Sequence, residues 1–286
     1  MIDRLALPGI VDVHSHFMPH AVMDKVWAVF DQAKDVYDIE WPITYRMDEP
    51  ARLLAMREFG VVAFTSLVYA HKPGMAAWLN EWCRLFAVDN PDCLQTATFF
   101  PEPGVEDYVD QALASGVRVF KIHLEVGAFD PRDPLLVPAW GLLADAGVPA
   151  VVHCGSGPRP GPFTGPGPMT EVFDRHPALK VIVAHMGAPE YEPFLELADR
   201  RSNIYLDTTM SFTDFMEELA RFPADRVDQL RSVGERGKIL FGSDFPNIPY
   251  TYEHAVAAIE RLELGDRWTR EVLFGAADRL FGLGLG

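Results

Sequence analysis

The sequence predicts an α/β protein, a parallel (β/α)8 barrel with an insertion after its first strand, and three observations lead to this prediction. Short runs rich in β-branched residues recur along the 286 residues, and amphipathic stretches with helical periodicity lie between them. Several runs are apolar without a break, as in Val61–Phe64 and Val181–Ala184, which is typical of parallel strands buried on both faces. The length suits one barrel domain over residues 1–286, with no composition break that would mark a second domain.

The predicted strands and helices alternate along the chain. Eight strands are predicted, at Gly9–His14, Val61–Val68, Cys93–Phe99, Val117–Ile122, Val148–His153, Lys180–His185, Asn203–Asp207 and Lys238–Gly242. Helices are predicted over Met75–Ala87, Val105–Ser115, Pro134–Ala146, Tyr191–Arg201 and Thr251–Leu262. Gly116, Gly147 and Gly265 lie where the ends of helices favour a left-handed residue. An open, doubly wound sheet is the alternative, but it usually has fewer strands.

Two long stretches interrupt this alternation. Phe17–Pro50 separates the first strand from its helix and carries the aromatic residues Trp27, Trp41 and Tyr45, while Gly155–Pro168 is dense in Gly and Pro. Both follow the C-terminal end of a predicted strand, which is the face where barrel enzymes build their sites. We therefore expect Gly155–Pro168 to be a turn-rich loop of the active site. The aromatic residues of the insertion are expected either to pack as a cover or to form a wall that shapes the substrate.

Charge and composition exclude several classes of partner. Lys+Arg number 25 against 41 Asp+Glu, a net charge of −16, which argues against binding nucleic acid or an anionic membrane surface. No apolar run reaches the roughly 18 residues of a membrane helix, and the first residues lack the pattern of a secretory signal. The three irregularly spaced cysteines predict buried, reduced thiols in a cytoplasmic protein. The expected partner is a small-molecule substrate, and a homodimer is an open alternative to a monomer.

Histidines and one aspartate mark the C-terminal ends of four predicted strands. His14 and His16 close the first strand, and side chains two positions apart on an extended chain share a face. His153 ends the fifth strand, His185 ends the sixth, and Asp244 follows the eighth. In a barrel these strand ends lie on one rim, so we expect the side chains to converge. A single histidine is more often structural, and it is the repeated placement that indicates a site.

Three motifs contain most of these residues: Val11–His16 with its His-x-His pair, Ala184–Gly187, and Phe241–Pro246. Together with the strand-end His153, they resemble the motifs of the amidohydrolase superfamily. More narrowly, the chain resembles the amidohydrolase-related branch, which includes aminocarboxymuconate-semialdehyde decarboxylase and related hydrolases. The similarity runs nearly end to end. The motif set is specific for the superfamily and poorly specific for the substrate.

The resemblance implies a metal site and a division of roles within it. It implies that His14, His16, His153 and Asp244 bind one divalent ion, with zinc the expected metal. Three imidazoles and a carboxylate suit zinc with one position open for water. His185 would stand beside the ion as a proton-transfer or electrophilic group, and Asp244 would also carry the proton of the water to the leaving group.

A second ion is an open alternative at the end of the fourth strand. Lys121 and His123 share a face there, at the place where binuclear members of the superfamily carry a carboxylated bridging lysine. The resemblance therefore implies a second metal ion if Lys121 is carboxylated. Otherwise, Lys121 would bind a carboxylate of the substrate or pair with Glu125.

Three further carboxylates are expected to support the site without binding the metal. Asp12 shares the inward face of the first strand but lies below His14, so we expect it to be a buried partner of the site. Asp207 closes the seventh strand and Glu190 follows the sixth, where each can orient a neighbouring ligand.

The leading hypothesis for function is hydrolysis of a C–N or C–O bond in an amide, lactone or ester. The alternative is non-oxidative decarboxylation of an unsaturated or aromatic acid at the same metal site. A decarboxylase must hold a carboxylate, and Arg46, Arg159 and Lys72 are the predicted candidates for this anchor. A third hypothesis, a non-catalytic ligand-binding barrel, predicts a missing metal ligand, and every expected ligand is present in the sequence.

Overall fold

The computed structural model describes residues 1–286 and contains nine β-strands. They are β1 (Ile10–Asp12), β2 (Val61–Thr65), β3 (Cys93–Leu94), β4 (Thr96–Thr98), β5 (Val119–His123), β6 (Ala150–His153), β7 (Val181–Val183), β8 (Ile204–Asp207) and β9 (Ile239–Leu240). Every strand is short. Nearly all their side chains are buried, because parallel strands of this kind are covered on both faces.

Fifteen α-helices lie before, between and after the strands. They are α1 (Ile2–Leu5), α2 (His20–Phe30), α3 (Ala33–Tyr37), α4 (Glu49–Glu58), α5 (Ala76–Asp89), α6 (Val105–Ala114), α7 (Leu124–Gly127), α8 (Val137–Ala146), α9 (Pro166–Arg175), α10 (Tyr191–Arg200), α11 (Asp214–Leu219), α12 (Val227–Glu235), α13 (Tyr252–Arg261), α14 (Asp266–Arg270) and α15 (Ala276–Phe281). Short 3₁₀ turns lie at Pro134–Leu136, Ala184–Gly187 and Ala224–Arg226, and a π-helical turn at Glu271–Gly275. None of the helices has the length and apolar character needed to cross a membrane.

The chain forms two compact units, of which the first combines both ends of the sequence, Met1–Thr65 and Asp207–Gly286. In this unit β1 pairs with β2 in parallel, with Asp12 opposite Phe64. Beyond β1, the Val13 N–H donates to the Phe241 carbonyl at 3.0 Å, so the segments after β1 and β9 run side by side. Helices α2 and α3 lie between β1 and α4, which confirms the predicted insertion after the first strand.

The second unit, Ser66–Leu206, contains a run of parallel strands in chain order from β4 to β8. Lys121 on β5 pairs with Val151 on β6, and one step further His123 pairs with His153. Helix α8 packs its buried Trp140 against Phe99, with ring centroids 4.8 Å apart. The strand register therefore places two of the predicted site histidines level with each other at the ends of adjacent strands.

The predicted strands and helices are confirmed, with differences at their ends. The run Cys93–Phe99 forms two short strands on either side of Gln95, and the run Lys180–His185 stops as a strand at Val183. The second difference arises because His185 has a left-handed backbone conformation, φ 53° and ψ 31°, that a strand does not accommodate. Gly147 ends α8 in the left-handed conformation predicted for it, φ 65°. All three cysteines are free and buried, as predicted.

Candidate metal centre

The first part of the candidate site is the end of β1, where His14 and His16 lie buried with exposed fractions of 1% and 5%. The side chain of Ser15, between them, points toward β2. The Ser15 N–H donates to Thr65 Oγ1 at 3.1 Å, and the Ser15 Oγ donates to the Thr65 carbonyl at 2.6 Å. Successive side chains of an extended chain point to opposite faces, so the two imidazoles share the other face. Their ring centroids lie 5.2 Å apart, as the His-x-His spacing predicts.

Asp244 joins these histidines from the segment after β9. Its backbone is left-handed, φ 69°, a conformation that aspartate adopts more readily than most residues other than glycine, and its N–H donates to the His14 carbonyl at 2.8 Å. This conformation places Asp244 Oδ1 2.9 Å from His16 Nε2 and 3.5 Å from His14 Nε2. One ligand atom from each of the three residues lies within 4.8 Å of the other two.

A buried carboxylate orients the first of these imidazoles. Asp207 Oδ2 lies 2.9 Å from His14 Nδ1, and the Thr209 N–H donates to Asp207 Oδ1 at 3.1 Å. Because an ionised carboxylate only accepts hydrogen bonds, this contact places a proton on His14 Nδ1. A neutral ring with this proton would direct its Nε2 lone pair toward Asp244.

The donor set of this group fits a divalent cation. A neutral His14 and the Asp244 carboxylate would face each other with acceptors at 3.5 Å, and a cation between them would satisfy both. Asp207 and Asp244 are both buried carboxylates, and buried negative charge needs a compensating positive charge. Two imidazoles and a carboxylate are ligands that zinc commonly takes in proteins. The structure thus brings together His14, His16 and Asp244 in one compact unit. The role of His153 as a further ligand stays a prediction.

Asp12 supports the same site through hydrogen bonds to residues that flank it, as the sequence predicted. It is fully buried, and its carboxylate accepts hydrogen bonds from the His14 and Ser243 N–H groups and from the hydroxyls of Ser243 and Tyr252. Burial raises the pKa of Asp12 to about 7, although these four donors act in the opposite direction. Asp12 therefore connects the end of β1 to the residue next to Asp244, and it has no role as a metal ligand in this arrangement.

A second group of ligand-type side chains lies in the unit Ser66–Leu206. One ligand atom from each of His123, Glu125 and His153 lies within 4.8 Å of the other two. The rings of His123 and His153 stack, with centroids 4.0 Å apart and planes 12° apart. His123 Nδ1 accepts from the Val126 N–H at 3.3 Å, and His153 Nε2 donates to the Gly157 carbonyl at 2.9 Å.

His185 and Lys121 lie in the same unit. The His185 ring is 4.8 Å from the His153 ring, and its left-handed backbone is followed by two more residues with positive φ, Met186 and Gly187. Such conformations cost free energy and often occur at functional sites. Lys121 is fully buried, and its carbonyl accepts from Thr98 Oγ1 at 2.7 Å. The acid–base role of His185 and a second ion at Lys121 and His123 stay predictions.

The predicted anion anchors differ in their surroundings. Arg46 is exposed and forms an ion pair with Asp31, and it also donates to the Trp27 carbonyl at 3.1 Å. Arg159 is exposed near the partly buried Glu125. Burial raises the pKa of Glu125 to about 7, and the positive charge of Arg159 opposes this rise. The binding of substrate by either arginine stays a prediction.

Asn247 is a structural residue of the site that sequence reasoning missed. Its N–H donates to the Asp244 carbonyl at 2.8 Å, and its side-chain oxygen accepts from Trp27 Nε1 at 3.1 Å. Its own carbonyl accepts from Trp41 Nε1 at 2.7 Å. The insertion after β1 is therefore bonded to the segment that carries Asp244. The only signal in the sequence is that Asn247 lies three residues after Asp244, within the same turn.

A family model described as amidohydrolase matches residues 11–283, nearly the whole chain. The chain belongs to the amidohydrolase family. This membership identifies the protein as an enzyme of the amidohydrolase superfamily, as the motifs around His14, His185 and Asp244 predicted. The family generally uses divalent metal ions, and the group of His14, His16 and Asp244 is a candidate site for one in this amidohydrolase. No protein of curated function matches the chain.

Solved structures confirm the predicted barrel fold of this amidohydrolase. An uncharacterised TIM-barrel protein from Bordetella bronchiseptica is similar with a TM-score of 0.76 at 18% identity, covering 96% of this chain and 98% of that one. A probable 2-pyrone-4,6-dicarboxylic acid hydrolase from Acinetobacter baumannii has a TM-score of 0.61 at 13% identity, with 96% and 99% coverage. A 5-carboxyvanillate decarboxylase from Novosphingobium aromaticivorans, solved with bound manganese, has a TM-score of 0.62 at 13% identity, with 96% and 97% coverage.

Proposed function

We propose that this amidohydrolase is a metal-dependent hydrolase that cleaves a C–N or C–O bond in a small amide, lactone or ester. The observation that carries the proposal is the pair of contacts that the His14 ring makes. Its Nδ1 lies 2.9 Å from Asp207 Oδ2, and its Nε2, on the other side of the ring, faces Asp244 Oδ1. In zinc enzymes a carboxylate in this position fixes the tautomer and the orientation of a ligating histidine. His14, His16 and Asp244 are the proposed ligands of one divalent ion, and zinc is the proposed metal.

The chemistry divides between the ion and the protein side chains. A divalent ion held there would lower the pKa of a bound water from about 15.7 toward about 7. Asp244 is also proposed as the general base, since its carboxylate lies beside both imidazoles, with Oδ1 2.9 Å from His16 Nε2. Asp207 keeps the His14 lone pair directed at the site. Asp12 holds the turn of Asp244 through four hydrogen-bond donors. His153 is proposed as a further ligand and His185 as the group that transfers a proton to the leaving atom.

Decarboxylation of an organic acid is the second candidate reaction. The observation that favours it is the similarity of the chain to the solved structure of a 5-carboxyvanillate decarboxylase, which covers 96% of this chain with a TM-score of 0.62. The two reactions differ in their products, so the products decide between them.

The test combines metal analysis with a substrate screen. The purified protein is assayed for bound divalent metal and then against lactones, amides and unsaturated acids in ¹⁸O-labelled water. Hydrolysis incorporates one ¹⁸O atom from solvent into the product, whereas decarboxylation releases CO₂. His16→Ala and Asp244→Asn are expected to lose both metal and turnover, and His20→Ala, an exposed histidine paired with Asp24, serves as the control. Full turnover by protein without a divalent ion would contradict the proposal.

A further inference from the structure

Helix α5, in the unit Ser66–Leu206, has apolar side chains on two opposite faces. The buried residues of its inner face include Ala76, Leu79, Cys83 and Phe86. The large apolar residues of its outer face are Trp78, Trp82, Leu85 and Val88. These four side chains form the α5 stripe. A helix that is apolar all round is normally buried on all sides, so the stripe indicates a surface that a partner covers.

The α5 stripe is contiguous and open to solvent. Trp78, Trp82 and Leu85 lie at positions i, i+4 and i+7, which a helix brings to a single side, and Val88 lies almost one turn beyond Leu85. The exposed fractions of Trp78, Leu85 and Val88 are 52%, 49% and 66%, and Trp82 is partly exposed. Single exposed apolar residues are common in soluble proteins, whereas a contiguous group of them marks an interaction site.

Two other helices of the same unit show the outer face that water favours. The exposed residues of α6 include Glu106, Asp107, Asp110 and Gln111, and those of α10 include Glu192, Asp199 and Arg200. Neither helix carries an exposed large apolar residue. The apolar outer face is therefore a property of α5 and not of the helices of this unit in general.

Side chains of the stripe and at its edge are held in place within the chain. Trp82 stacks on the buried Phe86, with ring centroids 4.9 Å apart and planes 18° apart. Beside the stripe, Nε and Nη2 of Arg84 donate to the two carboxylate oxygens of Glu81, each at 2.8 Å. Ordered side chains lose less entropy when a partner binds. The Glu81–Arg84 pair is neutral as a whole, in a chain whose net charge of −16 makes two copies repel elsewhere.

The charges along α5 suit a second copy of the helix that runs in the opposite direction. The first turn of α5 has no acidic residue and no side-chain cap, and the helix ends at the exposed Asp89. A carboxylate is disfavoured at the C-terminal end of its own helix and favoured at the N-terminal end of another. An antiparallel copy would bring each Asp89 to the N-terminal end of the other α5. It would also place Glu81 of each copy opposite Arg84 of the other, because both lie near the middle of the helix.

We propose that the α5 stripe is the centre of a two-fold interface between two copies of this chain, in which the two α5 helices pack antiparallel. A two-fold interface uses the same surface on both subunits, so that surface must be complementary to itself. With tryptophan side chains of roughly 250 Å² about half exposed, the stripe offers on the order of 300 Å² per copy, against about 800 Å² per partner in a standard interface. The stripe is thus the apolar core of the interface, and we expect a Kd of about 1–10 µM.

The test measures the oligomeric state of the full-length protein by sedimentation velocity. The wild type is expected to pass from monomer to dimer between about 0.1 and 100 µM. Trp78→Glu puts a charge at the apolar centre and should weaken the dimer at least about tenfold. The matched control is Leu135→Glu, which changes an exposed leucine elsewhere in the same unit and should leave the dimer unchanged.

A pair of charge variants tests the antiparallel geometry. In a dimer of Glu81→Arg, two positive charges face each other, and in a dimer of Arg84→Glu two negative charges do. Each variant alone should therefore dimerise about tenfold more weakly than the wild type. When the two variants are mixed in equal amounts, opposite charges face each other again, and heterodimers should form with nearly the wild-type affinity. The double exchange in one chain should likewise restore the dimer.

Thermal unfolding separates a loss of association from a loss of fold. Because association of folded chains stabilises them by mass action, the wild-type Tm should rise with protein concentration. The Tm of Trp78→Glu should stay at the value of the dilute wild type. A Tm more than about 5 °C below that value would assign Trp78 a role in the fold and overturn the inference.

Three other results would also overturn the inference. They are a wild type that is still monomeric at about 100 µM, a dimer that Trp78→Glu leaves intact, and charge variants that do not pair when mixed. The first would show that the α5 stripe does not bind a second copy. The second would place the interface on another surface, and the third would refute the antiparallel arrangement.

Discussion

The imidazole Nδ1 of His14 lies 2.9 Å from Oδ2 of Asp207, although 193 positions separate the two residues in the chain. Both side chains are buried, with exposed fractions of 1% for His14 and 0% for Asp207. The end of β8 thereby holds the end of β1 in the orientation that a metal ligand needs. This contact and the placement of Asp244 give the candidate centre its geometry, and the predictions below test its parts.

Asp207→Asn is expected to weaken metal binding without removing a proposed ligand. The amide does not fix the His14 tautomer as a carboxylate does, and loss of such a partner typically lowers metal affinity by about 10- to 100-fold. Competition with a chromogenic chelator measures the change. Asp228→Asn, an exposed aspartate paired with Arg231, should leave the affinity unchanged. An affinity within about twofold of the wild type would show that Asp207 does not orient a ligand.

Removal of the metal is expected to lower the stability of the protein. The proposed ligands His16 and Asp244 lie 228 positions apart, so an ion bound to both links distant parts of the chain. An ion that binds the folded state stabilises it by about 2.7 kcal/mol at a concentration 100 times its Kd. The Tm should therefore rise with added zinc after chelation, and His16→Ala should abolish that rise. A Tm that is independent of zinc in the wild type would count against the site.

His185→Asn is expected to separate proton transfer from metal binding. Asparagine adopts the left-handed conformation that His185 has, φ 53°, more readily than most residues, so the backbone should be preserved. If His185 transfers a proton, turnover should fall by about 100-fold or more while metal content stays near that of the wild type. Metal content and initial rates, measured on the same sample, distinguish proton transfer by His185 from metal binding by His185. A parallel loss of metal would make His185 a ligand.

Gly242→Ala is expected to distort the metal centre. A Cβ at this position would overlap Thr209 Oγ1 and would lie 2.6 Å from the His14 Cβ, so one of these buried groups must move. Both the Tm and the metal affinity should fall. Gly141→Ala on α8, where a Cβ would meet no atom within 4 Å, is the matched control and should be neutral or stabilising. An unchanged metal affinity in Gly242→Ala would show that His14 tolerates displacement.

Lys238→Met is expected to change how stability depends on pH. Burial, helped by the charge of Arg236, lowers the pKa of Lys238 from 10.5 to about 8. Because the unfolded state then holds the proton more tightly, the wild type loses stability as the pH falls from about 10.5 to about 8. The variant should therefore have the higher Tm at pH 7, and its advantage should shrink as the pH rises through this window. Lys25→Met, at an exposed position, should show no such trend.

The sequence by itself determined the strands, the helices and the identity of the proposed ligands. The period of two residues placed His14 and His16 on one face, and the structure confirms this. Continuous apolar runs such as Val181–Val183 marked buried parallel strands. These features depend on a few neighbouring residues, so a local pattern is enough to predict them. The position of Asp244 just after a strand likewise indicated the rim.

Only the tertiary structure decided which side chains support the site. Asp207 was one of several carboxylates at strand ends, and its contact with His14 depends on how segments 193 positions apart pack. The sequence marked Arg46 as a candidate anion anchor, and only the packing showed that its guanidinium forms an ion pair with Asp31. The physical reason is that burial and the direction of a long side chain follow from the elements packed around it. A local pattern of residues does not contain that information.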